Sequence, residues 1–233
     1  MGIRGEEMLT VLVVCAANQC RSRVAETLLH HALVGHENLD IRSAGVDVRA
    51  PMPMCPTAQT FVQQRGLLDA RYAAIPARQA TAALLTDCDL VLVADAKVRA
   101  GITALAPNVR RNTFTMAGAG AAALYVTKQR LLERAIDAHA AGLRSVIETV
   151  DGEDVVLAGA LDPGDAGAPA RWLRAELEAA QGLVARDGGW DIADAHASAK
   201  DIHSRTLQDV ASAMDAFATL LASLANATDT AKG

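Results

Sequence analysis

The sequence is poor in aromatic residues and has no apolar run long enough to cross a bilayer. Aromatic residues make up 3% of its 233 residues, which leaves few rings on which nucleic-acid bases can stack. A membrane-spanning helix needs about 20 consecutive apolar residues, and the apolar run from Met8 to Ala17 is well short of this. We therefore expect neither a single-stranded nucleic acid nor a membrane as partner.

The chain also lacks an excess of positive charge. It has 22 Lys and Arg against 27 Asp and Glu, a net charge of −5, whereas nucleic-acid binding uses clustered Lys and Arg. Hydrophobic residues make up 51% and charged residues 21%. This balance is typical of a globular chain that buries a core, and it excludes a disordered one.

Cysteine is sparse, with Cys15, Cys20, Cys55 and Cys88 spread over a long chain. They do not form the dense framework of a small secreted domain, so we expect reduced thiols in a cytoplasmic protein. No Cys-x2-Cys pair is matched by a second pair or by a His-x3-His pair. The spacing therefore predicts no metal site, and nothing else in the sequence calls for a cofactor.

Short β-branched runs alternate with helical patterns in the first half of the chain, which indicates an α/β fold with a parallel sheet. The second half is mostly helical, and it ends in an apolar stripe that is typical of an amphipathic helix packed on the core. The predicted strands are 9–14, 39–43, 90–93 and 112–115, and the predicted helices are 22–32, 55–67, 77–85, 98–105, 117–147, 170–185 and 207–224.

The loop after the first predicted strand carries the most informative pattern, a cysteine at 15 followed by Arg21 and Ser22. Backbone N–H groups and a helix N-terminus at such a place attract an anion, and they favour a thiolate at Cys15. Arg21 can hold two phosphate oxygens, so the pattern predicts a nucleophile that attacks phosphorus. Ser22 is also expected to cap the helix. The expected phosphate-binding residues are Ala16, Ala17, Asn18, Gln19, Cys20 and Ser22.

Residues 11–29, with Cys-x5-Arg-Ser between a strand and a helix, resemble the signature of the low-molecular-weight protein tyrosine phosphatases. The resemblance covers roughly residues 8–116 and 190–225. It implies a four-stranded parallel sheet with helices on both faces. Because many more residues precede the last loop than the family uses, we expect one domain over 1–233 with a helical insertion over 117–190.

The resemblance further implies a cysteinyl-phosphate mechanism that needs no metal. Cys15 would form the intermediate, Arg21 would stabilise the transition state, and a late aspartate would protonate the leaving oxygen and then activate water. Asn18 and Ser43 would brace the loop, and Ser22 would assist the thiolate. The expected substrate is a phosphorylated protein, foremost on tyrosine, or a small phosphoester.

Two aspartates are candidates for that acid. Asp162 is followed by proline, as in the family, but it stands far from the final helix. Asp194 lacks the proline, yet Asp191-Ile192 before it and the helix after it fit the family better. The resemblance therefore favours Asp194 over Asp162.

Several positions depart from the family pattern: Ala17, Gln19 and Arg23 in the signature, and Arg49 and His196 where aromatic wall residues are usual. Specificity for phosphotyrosine is therefore open. The alternatives are an arginine phosphatase or an arsenate reductase on the same scaffold, or a catalytically weak anion-binding regulatory module. Cys20 either pairs with Cys15 under oxidation or serves as a small buried residue.

Overall fold

The sheet has four parallel strands in the order β2-β1-β3-β4. The computed structural model describes residues 8–67, 69–140, 168–183, 190–196 and 198–230. The strands are β1 Leu9–Cys15, β2 Leu39–Gly45, β3 Leu90–Val93 and β4 Thr113–Thr115. All four predicted strands are therefore confirmed, and β1 lies in the interior of the sheet, between β2 and β3.

Helices cover both faces of this sheet, which confirms the predicted fold class. They are α1 Arg21–Ala32, α2 Pro56–Gln63, α3 Ala70–Ala74, α4 Ala82–Thr86, α5 Ala96–Leu105, α6 Met116–Ala140, α7 Ala168–Leu183 and α8 Lys200–Thr230, with a 3-10 helix over Pro107–Asn112. Successive side chains of β1 point to opposite faces. Val11 and Val13 pack with α1, α2, α6 and α8, whereas Leu12 and Val14 pack with α4 and α5.

Three long helices form a layer on one face of the sheet. The predicted apolar stripe of α8 is buried, with Leu207, Phe217 and Leu221 inside the core. Helix α6 packs on α8 and on α7, and Arg130 of α6 pairs with Glu176 of α7 at 2.8 Å. Of these helices, α6 and α7 account for the described part of the helical insertion predicted over 117–190.

Helices α6 and α8 approach each other closely at Gly120. A Cβ at this position would lie 2.5 Å from the carbonyl oxygen and 2.7 Å from the Cα of Ala213. Both are backbone atoms of α8, so Gly120→Ala is expected to push the helices apart and lower the free energy of unfolding by about 1–3 kcal/mol. Urea unfolding would measure this change.

The matched control is Gly101→Ala in α5, where the new Cβ would meet only the Val46 side chain at 3.5 Å. Because alanine is the better helix former, this variant is expected to be up to about 1 kcal/mol more stable than the wild type. Equal unfolding midpoints for the two variants would contradict the close approach at Gly120.

The prediction of one helix over 77–85 is wrong. The N–H of Gly45 donates to the carbonyl of Arg78 at 2.8 Å, and the N–H of Ala80 donates to the carbonyl of Gly45 at 2.7 Å. Residues 78–80 therefore form backbone hydrogen bonds with Gly45 at the end of β2 instead of helical ones. Helix α4 begins only at Ala82, with the Thr81 hydroxyl as its cap. Helix α3 was not predicted, and α2 ends at Gln63, short of the predicted end.

The predicted helices over 117–147 and 170–185 are confirmed as α6 and α7 over the part that the structure describes. The remaining residues of these predictions, and the candidate acid Asp162 with Pro163, lie outside the described residues. Among the helices of the described ranges, none is both long and apolar enough to span a bilayer.

Candidate active site

Cys15 is the last residue of β1, and its sulfur faces the first turn of α1. Cys15 Sγ lies 3.1 Å from Ser22 Oγ, and Asn18 Nδ2 donates to the same oxygen at 3.0 Å. Since Ser22 Oγ accepts from Asn18, its own hydrogen is available to the sulfur. The prediction that Ser22 caps the helix is wrong, because α1 begins at Arg21 with Cys20 at the cap position.

A buried network of polar side chains holds the loop in place. Asn18 has a φ of 53°, a left-handed conformation that asparagine tolerates better than most residues. Its Nδ2 also donates to Ser43 Oγ at 2.8 Å, and its Oδ1 accepts from the N–H of Arg78 at 2.8 Å. Ser43 in turn donates to the Glu26 carboxylate. Asn18 and Ser43 thus contact each other, as the family resemblance implies.

The backbone of the loop lies directly against Gly45 at the end of β2. A Cβ at Gly45 would lie 2.5 Å from the Ala16 carbonyl oxygen and 2.8 Å from the Asn18 nitrogen. Only glycine therefore allows the loop to approach β2 this closely.

We expect Gly45→Ala to displace the loop and to lower kcat/KM for a phosphoester by about 10²-fold, because a shift near 1 Å misplaces reacting groups. Steady-state kinetics would measure this loss. Gly101→Ala serves again as control, and unchanged kinetics in Gly45→Ala would show that the loop does not need its observed position.

The guanidinium of Arg21 is buried and bound on several sides. Its Nη1 lies 2.8 Å from Asp95 Oδ2 and donates to the Ile192 carbonyl at 2.8 Å. Its Nη2 lies 2.9 Å from Asp194 Oδ2. Asp95 also caps α5 by accepting from the N–H of Val98 at 2.8 Å. Arg21 therefore has a fixed orientation, with the half-exposed Asp194 beside it.

The segment that carries Asp194 is attached to the end of β3. The N–H of Ile192 donates to the Ala94 carbonyl at 2.8 Å, and Asp191 Oδ1 accepts from the N–H of Ala96 at 2.9 Å. These bonds place Asp194 at the same edge of the sheet as Cys15. The structure thus brings the candidate acid Asp194 to the site, whereas Asp162 lies outside the described residues.

Cys20 contacts a different cysteine from the one expected. Its sulfur donates to Cys55 Sγ at 2.7 Å and lies 2.9 Å from His196 Nδ1. The hydrogen bond from Cys20 lowers the pKa of Cys55 to about 6, although burial opposes this shift, and the same bond raises the pKa of Cys20. All four cysteines are free thiols, and a disulfide between Cys15 and Cys20 stays a prediction.

The unusual residues of the signature have different surroundings. The guanidinium carbon of Arg23 lies 4.1 Å from the centre of the Tyr72 ring, and Arg23 also donates to the Tyr72 carbonyl. Arg23 is thus a buried packing residue. Arg49 is exposed and contacts only Asp47 among the interactions seen here, at 3.4 Å. His196 faces Cys20 and lies at the rim of the site.

Three residues near the site were missed from the sequence: Asp95, Cys55 and His203. Asp95 follows β3 almost directly, and the carboxyl ends of parallel strands meet at one edge of a sheet, so its position was a usable signal. Cys55 and His203 stand alone in the sequence, and no local pattern marks them.

A cysteine at the end of an interior parallel strand, followed by a loop and an arginine in the next helix, defines an α/β protein with a cysteine-based phosphate loop. The family described as low molecular weight phosphotyrosine protein phosphatase matches residues 10–119. The low molecular weight protein-tyrosine-phosphatase Etp of Escherichia coli is 35% identical over 105 residues, which cover 45% of this chain and 67% of Etp. The chain therefore belongs to this family of cysteine-dependent phosphatases.

Solved structures share the fold at low sequence identity. The Erwinia amylovora tyrosine phosphatase amsI matches with a TM-score of 0.54 and 18% identity, over 93% of this chain and 95% of that chain. The YwlE arginine phosphatase from Geobacillus stearothermophilus matches with a TM-score of 0.56 and 16% identity, over 91% of this chain and 92% of its own. Both likenesses concern the fold alone.

Proposed function

We propose that this protein hydrolyses phosphomonoesters, foremost phosphotyrosine in proteins, through a cysteinyl-phosphate intermediate. The observation that carries the proposal is the joint position of three groups at one edge of the sheet. The Cys15 sulfur lies against the Ser22 hydroxyl, and Arg21, the residue before Ser22, forms an ion pair with the Asp194 carboxylate. This arrangement supports the roles of nucleophile for Cys15, anion-binding cation for Arg21 and acid for Asp194.

In the first step, the Cys15 thiolate attacks phosphorus, the sulfur–phosphorus bond forms, and the bond to the leaving oxygen breaks. Arg21 and the N–H groups of the loop hold the transferring oxygens, and the phosphate replaces the Asp194 carboxylate on Arg21 Nη2. Asp194 gives its proton to the leaving oxygen. Besides Arg21, the proposed phosphate-binding residues are Ala16, Ala17, Asn18, Gln19, Cys20 and Ser22.

In the second step, Asp194 takes a proton from water, the oxygen of that water attacks phosphorus, and the sulfur–phosphorus bond breaks to release phosphate and restore the thiolate. The Ser22 hydroxyl stabilises the departing thiolate through its hydrogen bond. Asp95 and the Ile192 carbonyl act as positioning groups, because they orient the Arg21 guanidinium. The charge is supplied by Arg21 and the backbone, so neither step uses a metal.

The substrate preference is tested with reduced full-length protein on three substrates: a phosphotyrosine peptide, a phosphoarginine protein and p-nitrophenyl phosphate. We expect kcat/KM for the phosphotyrosine peptide to exceed that for phosphoarginine by at least about 10-fold, since the named relative Etp is a tyrosine phosphatase. The opposite order would assign the protein to arginine phosphatases.

Two further outcomes would contradict the phosphatase proposal. Binding of phosphate or vanadate with no turnover of any substrate would indicate an anion-binding regulatory module. Arsenate-dependent oxidation of reduced thioredoxin would indicate an arsenate reductase. Burial raises the pKa of the Cys88 thiol to about 11, and its sulfur donates to the Leu84 carbonyl, so Cys88 is a poor candidate for the thiol relay of such a reductase.

A cytoplasmic location and a single domain over residues 1–233, with its insertion over 117–190, complete the proposal. The single domain is supported by the packing of α6 and α8 on the same sheet face as α1.

A further inference from the structure

Four side chains that can bind a metal converge beside the phosphate loop: Cys20, Cys55, His196 and His203. We call them the Cys2His2 cluster. Their ligand atoms, two sulfurs and two ring nitrogens, all lie within 4.8 Å of one another. Cys20 belongs to the phosphate loop, Cys55 caps α2, His196 follows Asp194, and His203 lies in the first turn of α8.

Each histidine presents one ring nitrogen to one sulfur. His196 Nδ1 lies 2.9 Å from Cys20 Sγ, and His203 Nε2 lies 4.0 Å from Cys55 Sγ. The two rings meet edge to face with their centres 5.7 Å apart, and the two sulfurs are 2.7 Å apart. The four donor atoms therefore form one compact group.

These separations bracket those of a tetrahedral zinc site. With zinc–sulfur bonds of about 2.3 Å and zinc–nitrogen bonds of about 2.0–2.1 Å, the ligand atoms of a regular tetrahedron stand about 3.3–3.8 Å apart. The closest pair in the cluster must open by about 1 Å, and separations of up to 4.8 Å must close by as much as about 1 Å. We expect rotations of the four side chains to make both adjustments when an ion binds.

The surroundings of the cluster suit a bound ion. Cys20, Cys55 and His203 are buried, while His196 is exposed and leaves a path for entry. The N–H of Ala58 donates to Cys55 Sγ at 3.4 Å, a bond of the kind that orients metal-bound thiolates.

A disulfide between Cys20 and Cys55 would use only half of this arrangement. It would explain the contact between the sulfurs, but it would leave two histidines directed at them without a reason. Two thiolates and two neutral imidazoles are instead a donor set that selects zinc, and their charge balances that of the ion.

We propose that Cys20, Cys55, His196 and His203 bind one Zn²⁺ in a tetrahedral structural site. The ion ties the phosphate loop to the segment that carries Asp194, because Cys20 precedes Arg21 and His196 follows Asp194 closely. The expectation of no metal came from local spacing, and these ligands come from separate segments that only the fold brings together. The proposal stands independently of the proposed hydrolysis.

The test uses the full chain, which is reduced with a phosphine, stripped of metal by a chelator and then incubated with excess Zn²⁺. We expect one Zn²⁺ per chain to remain after gel filtration, measured by elemental analysis. Substitution with Co²⁺ should give the visible spectrum of tetrahedral cobalt with thiolate charge-transfer bands. X-ray absorption of the wild-type zinc protein should show two sulfurs at about 2.3 Å and two nitrogens at about 2.0–2.1 Å.

Variants identify the ligands. Cys55→Ser and His203→Asn are each expected to weaken zinc binding by at least about 100-fold, measured by competition with a chromogenic chelator. The matched controls are Cys88→Ser, which changes a buried thiol on the other face of the sheet, and His31→Asn, which changes an exposed histidine of α1. Both controls, and Cys15→Ser, should bind zinc as the wild type does.

Three results would overturn the proposal: no zinc retained by the reduced chain, a zinc coordination shell without sulfur, or unchanged affinity in Cys55→Ser. If the two ligand variants fail to fold, X-ray absorption on the wild type still decides, since it needs no variant. A Cys20–Cys55 disulfide in the isolated protein, with no zinc uptake after its reduction, would assign the two thiols to redox chemistry instead.

Discussion

Replacing Cys15 with serine is expected to lower kcat for p-nitrophenyl phosphate by at least about 10⁴-fold, as loss of the nucleophile does in other covalent enzymes. The reason is that the serine hydroxyl is far less ionised than a thiol under the same backbone and guanidinium field. The overall fold should persist, because serine fits the volume of Cys15 at the end of β1. Circular dichroism and urea unfolding check the fold, and steady-state kinetics check the rate.

The matched control is Cys88→Ser, which removes another buried thiol whose sulfur contacts only the Leu84 carbonyl among its described hydrogen bonds. This variant should keep the wild-type rate. Acid-quenched wild-type protein should carry phosphate on Cys15 by mass spectrometry, and Cys15→Ser should carry none after the same incubation. Persistent turnover in Cys15→Ser would exclude the cysteinyl-phosphate mechanism.

Asp194→Asn is expected to reduce turnover in a way that depends on the leaving group. For phenyl phosphate, whose leaving oxygen needs a proton, the rate should fall by about 10²–10⁴-fold. For p-nitrophenyl phosphate, whose leaving group departs as a stable anion, the loss should be at least 10-fold smaller. The ratio of the two rates in wild type and variant is the measurement.

That ratio separates proton donation from a merely structural role for Asp194. Loss of its ion pair with Arg21, at 2.9 Å, would slow both substrates equally. Asp162→Asn is the comparison variant, because Asp162 is the other candidate acid and it carries the family's Asp-Pro dipeptide. If Asp162→Asn alone shows the dependence on the leaving group, the proposed role of Asp194 is wrong.

The parts of the site that lie close together in the chain could be predicted from the sequence. Cys15 and Arg21 frame one loop between a strand and a helix, and local patterns determine both elements. Even there, one side-chain role was misjudged. Ser22 was expected both to cap α1 and to assist the Cys15 thiolate; its hydroxyl lies beside the Cys15 sulfur, but it does not cap α1, which begins one residue earlier.

Contacts between distant segments could be predicted only through the family resemblance, or not at all. Asp194 was placed near Arg21 by that resemblance, whereas Asp95 on the other side of the guanidinium was missed. Cys55 comes to Cys20 because its N–H donates to the Gln19 carbonyl at 2.9 Å. The hydrophobic periodicity within each segment does not predict a hydrogen bond between segments so far apart in the sequence.

By itself, the sequence determined the four parallel strands, most of the helices between them and the Cys-x5-Arg loop. These features can be predicted from the spacing of hydrophobic residues and from residue types within a few positions, because both determine local backbone geometry and burial. The tertiary structure alone decided which carboxylates pair with Arg21 and how closely the loop backbone approaches Gly45. It also decided that two cysteines and two histidines from separate segments lie together. These features arise when separate segments pack on one sheet edge, since that packing is set by the whole core.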